Sequence, residues 1–177
     1  DGRSRGVSGL TPEDVERGRD LYVALHNMGL ALSQAGRRDE ALAHWRRALA
    51  VAEELCALAP DDAQVARDRA KARAEVALSC AQRGDLAEGR DLAEQSVAEA
   101  RALVAADPDN VLASRTLELC CRSSAEVAEH GRRLEDALAL YAEAAGSLRA
   151  HLARSPDDHD SARQLGGVLE REAQVAL

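Results

Sequence analysis

Few side chains in this chain could do chemistry, and most are spaced wrongly for it. Five histidines occur, His26, His44, His130, His151 and His159, and no two are four residues apart. That is the spacing at which one helix presents two imidazoles to a metal ion. Four cysteines, Cys56, Cys80, Cys120 and Cys121, fit neither a zinc pattern nor a C-x-x-C redox pair. They read as small apolar residues of a reduced compartment, so a cytoplasmic location is expected. Neither a glycine-rich phosphate cradle nor an H-E-x-x-H pair is present. A Ser–His–Asp arrangement is spatial and cannot be read from spacing, but regular helices with short turns offer few loops to hold one. The expectation is a non-enzyme, with no catalytic residue, no cofactor and no metal.

One pattern does repeat. Arg19, Arg67, Arg115 and Arg163 stand 48 residues apart. Such a series has two readings. The guanidinium groups can pair with carboxylates, or bond to carbonyls at the ends of neighbouring helices. Alternatively, the row can grip an acidic peptide or phosphate. The first is favoured, because the series follows the repeat too faithfully to be aimed at one ligand.

The elements that must position these residues share that register. All four prolines, Pro12, Pro60, Pro108 and Pro156, are also 48 apart. Each is read as opening a helix at the position where a missing N–H costs nothing. Thr11, Asp107 and Ser155 then serve as caps, and Ala59 predicts a start weaker by about 1 kcal/mol in the second unit. Three rows of small residues keep the same step: Gly29, Ala77, Ala125; Ala41, Gly89, Ala137; and Ala48, Ser96, Ala144. Small residues at fixed intervals let helices approach closely, as stacked hairpins require. Gly36, Gly84 and Gly131 mark the turns between helices, the third one residue early on the register.

The reading is therefore helix, short turn, helix. First helices are predicted at 12–34, 60–82, 108–130 and 157–176, and second helices at 39–58, 86–106 and 134–154. Residues 1–10 are expected to be a flexible segment and 11–177 a solenoid. Its units are 12–59, 60–107, 108–155 and a partial 156–177. The chain starts at Asp1, so it reads as a piece of something longer.

Composition agrees. With no Phe, one Trp and two Tyr, the core must be built from Ala and Leu, and helices rather than sheets follow. A formal net charge of −8 argues against nucleic-acid binding. No apolar run approaches the ~20 residues of a membrane span.

Leu25-His26-Asn27-Met28-Gly29-Leu30-Ala31-Leu32, then Gly36, Asp39-Glu40-Ala41-Leu42, Trp45 and Ala48, resemble a tetratricopeptide repeat. The second unit matches through Gly84-Asp85-Leu86, Gly89 and Ser96, but has Ala93 where the aromatic belongs. The third matches through Glu135, Ala137-Leu138, Tyr141 and Ala144, with Cys121 and Ser124 at large positions of its first helix. The family's usual period is about 34 residues, so each helix here is about two turns longer. Arg19-Asp20-Leu21 resembles the opening of long bacterial repeats attached to signalling enzymes.

The resemblance implies an all-α, right-handed α-solenoid of antiparallel hairpins with about seven helices. It also implies a scaffold or sensor module that binds a protein or peptide on its concave surface, within a larger bacterial signalling or defence protein. The inward positions it implies are His26, Asn27, Leu30, Gln34, Lys71, Leu78, Gln82, Arg122, Glu126 and His130. These vary between units while the packing rows do not. The residues by which some family members clamp a C-terminal carboxylate are not matched. Two alternatives stand beside this reading: a self-assembly module forming homo-oligomers, and an enzyme with an unrecognised site.

Overall fold

A computed structural model describes residues 12–177; the segment read as flexible, and the Thr11 cap, lie outside the described residues. Seven helices run in order: α1 (Pro12–Gln34), α2 (Arg38–Leu58), α3 (Ala63–Arg83), α4 (Leu86–Ala106), α5 (Val111–His130), α6 (Leu134–Arg154) and α7 (His159–Ala176). No strand occurs among the described residues. Each helix packs on the next, and α3 also packs directly along α5. Turns of two or three residues fold α1 on α2, α3 on α4 and α5 on α6 as antiparallel hairpins.

The three small-residue rows are buried throughout. Their closeness is physical. A methyl group added at Gly29 would lie 2.4 Å from the Trp45 Nε1, and one at Gly89 would lie 2.8 Å from the Ala77 carbonyl oxygen. The first hairpin therefore closes on an indole, and the second closes on backbone.

Helix starts differ from expectation in three of the four units. α1 does begin at Pro12, but α3, α5 and α7 begin three residues beyond their prolines. Ala59, Asp107 and Ser155 are not caps of first helices; they end α2, α4 and α6. The residue before a proline is disfavoured in helical conformation, so the preceding helix stops there. Proline then takes the second place of a tight turn, which suits its fixed φ. The turns close from Asp62, Asn110 and Asp158 N–H to the Ala59, Asp107 and Ser155 carbonyls, each at 3.1 Å. Capping falls to the residue that closes the turn. Asp62 accepts from the Gln64 and Val65 N–H groups, Asn110 from Leu112 and Ala113, and Asp158 from Ser161. The second unit thus has a well-capped start despite Ala59.

Second helices keep the register, beginning at Arg38, Leu86 and Leu134. Gly36 and Gly84 take φ of 76° and 96° in their turns. In the third turn Gly131 is out of place, and Arg132 adopts the left-handed conformation at φ 55°. A side chain there costs about 1 kcal/mol that glycine would not.

Candidate functional site

The arginine series finds its partners at the caps. Arg19 bonds to Asp62, and Arg115 donates to Asp158 at 2.6 Å. Each links one unit to the cap of the next first helix. Burial pushes the Asp62 carboxyl up, but the Val65 and Gln64 N–H groups and Arg19 outweigh it and hold the carboxyl below its usual range. Asp158 is held still lower by its Ser161 backbone bond, then by His151, the Ser161 hydroxyl and Arg115. Arg67 has the neutral Asn110 at the corresponding place on the register and makes no ion pair among the described residues. Among the described residues Arg163 bonds only to Asp160, three residues away on its own helix. Arg19 and Arg115 tie units together; Arg67 and Arg163 do not.

The ten expected inward residues are not all gathered in one place. Lys71 and Arg122 line a common cleft of about 390 Å³ between α3, α5 and α7, with Arg115, Glu118 and Gln164. Glu126 is adjacent, 3.5 Å from Arg122. His26 is half-buried and stacked on Tyr22, with ring centroids 5.9 Å apart. Its Nδ1 is buried without a hydrogen-bond partner among the described residues, and burial, then nearby Lys71, lowers its pKa. Asn27, Leu30, Gln34, Gln82 and His130 are exposed. Gln82 lies beside Trp45 near the turns, away from Lys71 and Arg122. Leu78 is half-buried and packs on the cluster of Ala77, Ala81, Ala93 and Val127, so it contributes to the core as well as to any surface.

Three acidic residues were missed. Asp68, Glu75 and Glu118 join Glu126 on this side, and all four carboxyls are raised chiefly by burial. Glu118 is only 5% exposed and accepts from Arg122 Nε at 3.2 Å. The Glu75 carboxylate has no hydrogen bond or ion pair among the described residues; burial raises its pKa most, Arg122 lowers it and Glu126 raises it further. Glu75 was legible, because it stands 48 residues after Asn27. Glu118 was not, because its register mates are the core residues Tyr22 and Ala70.

Trp45 and Tyr141 are core residues, as their positions suggested; the Tyr141 hydroxyl donates to Glu129 at 2.6 Å. All four cysteines are free and buried. Burial pushes Cys120 up to about 11, so it is no nucleophile at neutral pH. Among the described residues no helix is long and apolar enough to cross a membrane.

These features define a helical-repeat protein. A tetratricopeptide repeat family model matches residues 23–62, which cover the second half of α1, all of α2 and the turn to Asp62. No curated protein and no solved structure gives a significant match. Tetratricopeptide repeats generally mediate protein–protein interaction, and the match supports a scaffold of that class.

Proposed function

We propose that the chain is a non-catalytic scaffold that receives a partner's helix or extended segment along its first-helix side. We read it as three 48-residue units, 12–59, 60–107 and 108–155, followed by a partial fourth. The single observation carrying this reading is the charge state of that side. Asp68, Lys71, Glu75, Glu118, Arg122 and Glu126 are all at least half withdrawn from water, and the carboxylates of Asp68 and Glu75 have no ion pair among the described residues. A desolvated, incompletely paired carboxylate weakens a fold. It becomes useful when a partner brings the missing cation. Lysine- or arginine-bearing segments are therefore the preferred occupants. A preformed face costs the scaffold little ordering on binding. The long period and the Arg19-Asp20-Leu21 opening support a place within a larger bacterial signalling or defence protein, in the cytoplasm.

Capture of partners from a lysate of the cells that make the protein tests this. Glu75→Lys with Glu126→Lys should remove the captured species while helicity is kept. Leu30→Glu should weaken capture too, and is a cleaner probe than Leu78→Glu because Leu78 also packs inside. Glu75→Gln should raise stability by about 0.5–1 kcal/mol. Capture unchanged in all these variants would move binding off this side.

Self-assembly is the second reading, and one observation favours it. Leu21, Ala24, Met28 and Ala31 form an exposed stripe on α1. Met28 is 50% exposed, whereas its register mates Val76 and Ser124 are 1% and 4% exposed, covered by the preceding unit. Sedimentation over a wide concentration range decides: a constant monomer mass rules it out.

A further inference from the structure

The junction between the second and third hairpins is filled with smaller side chains than the junction between the first and second. At the first junction Trp45, Leu49 and Val76 are buried in one cluster, with Leu92 packed against it. Moving 48 residues on, the same places hold Ala93, Val97, Ser124 and Leu140. Tryptophan has become alanine, leucine valine, and valine serine. A cleft of about 150 Å³ lies there, lined by those four residues with Glu94, Arg101 and Arg133.

A second change falls in the same place. Arg46 bridges α2 to Glu88 of α4 by two bonds of 2.8 Å. Its register counterparts are Glu94 and Asp136, two acids facing each other. Each is satisfied on its own hairpin instead: Arg90 donates to Glu94 at 2.7 Å, and Arg133 to Asp136 at 3.0 Å. At this place on the register like charges stand where the first junction has its bridge, and α4 and α6 are joined further along by Arg101, which donates to Glu143 at 2.8 and 2.6 Å. The gap cannot shut from the other side, because α4 already rests at Gly89 on the Ala77 carbonyl.

We propose that this cleft between α4, α5 and α6 is a recognition pocket for one aromatic side chain of a partner protein. The register states the occupant's shape, since a ring stands at this position in the first and third units, as Trp45 and Tyr141, and is missing from the second. The floor is apolar except for Ser124, whose hydroxyl is already engaged by the Ala93 carbonyl at 3.3 Å. At the mouth the guanidinium groups of Arg101 and Arg133 can lie over a ring face, an attraction that an aliphatic side chain cannot return. An apolar pocket ringed by paired charges is the anatomy of an interface hot spot. It lies on the second-helix side, away from the Lys71 and Arg122 cleft, so failure here leaves the first-helix reading standing.

N-acetyl-tryptophanamide, titrated into the whole chain and followed by methyl NMR, is the test. Saturable shifts are expected at Val97 and Leu140, with millimolar affinity. N-acetyl-leucinamide should bind about tenfold more weakly. Ala93→Trp should fill the pocket from within and abolish the shifts. Should that variant not fold, Ser124→Val, which restores the first junction's residue, should weaken binding at least about threefold by shrinking the floor. Shifts that do not saturate, equal binding of the leucine compound, or binding unaltered by either substitution would each overturn the proposal.

Discussion

The first and second junctions are built on one register and are filled differently. Around Trp45 the first is packed with large side chains and clamped by Arg46 and Glu88. Around Ala93 the second is underfilled, has Glu94 and Asp136 where the first has its clamp, and is bridged instead by Arg101 and Glu143. Yet the small rows are kept at both. Small residues are demanded wherever two backbones approach, because no adjustment can make room for a larger one. Large residues are demanded only where nothing else fills the space. Positions of the second kind are free to change, and an individual surface can arise there without loss of the fold.

The largest effect expected from this contrast is at Trp45. Trp45→Ala gives the first junction the second's residue, and should cost about 3–5 kcal/mol in urea unfolding. A cost under about 1 kcal/mol would mean that the aromatic is not what distinguishes the two. Arg132→Gly comes next, since it gives the third turn what Gly84 gives the second. It should stabilise by about 0.5–1 kcal/mol, net of the extra freedom glycine has when unfolded. A smaller difference separates Arg19→Ala from Arg67→Ala. The first loses its bond to Asp62, whereas the second has Asn110 at the equivalent place and makes no ion pair among the described residues, so the first should be the more destabilising by about 0.5–1 kcal/mol. Equal losses would show that the arginines act through packing alone.

Titration should separate junctions from the first-helix side by sign. Arg101 holds Glu143 low, and Asp62 is low at its cap. Their stabilisation is present above the unfolded carboxyl values of about 4 and is lost as pH falls below them. Asp68, Glu75, Glu118 and Glu126 are raised. They bind protons more readily when folded, so stability declines as pH rises through the window above those values. Melting temperature should therefore climb slightly from pH 7 toward about 5 and fall in stronger acid. Glu75→Gln with Glu126→Gln should flatten the climb and leave the acid limb unchanged.

Most of the fold was legible because its demands repeat. Gly29, Ala77 and Ala125 announce a close helix contact by recurring. Second-helix starts followed from the turns. The first-helix starts did not, because proline is compatible both with a first helical turn and with the tight turn before one; Asp62, Asn110 and Asp158 had to be seen accepting backbone bonds to decide it. The candidate site was less legible for the opposite reason. The face proposed to bind a partner departs from the repeat, so Lys71 and Arg122 stood out as irregular; the i,i+4 spacing of Glu118 and Arg122 was legible too, but Glu118 occupies a core row and its burial was not.

Apart from α3 against α5, the helices pack mainly on their neighbours in sequence. Chains whose contacts are local close only short loops on the way to the native state, so this one should fold within milliseconds. The same locality lets the molecule open in pieces. Among the described residues α3 and α5 pack most extensively beyond their immediate neighbours, so their amide hydrogens should be the last to exchange with solvent. Slowest exchange in α1 or α7 instead would mean that the ends, and not the middle, hold the chain closed.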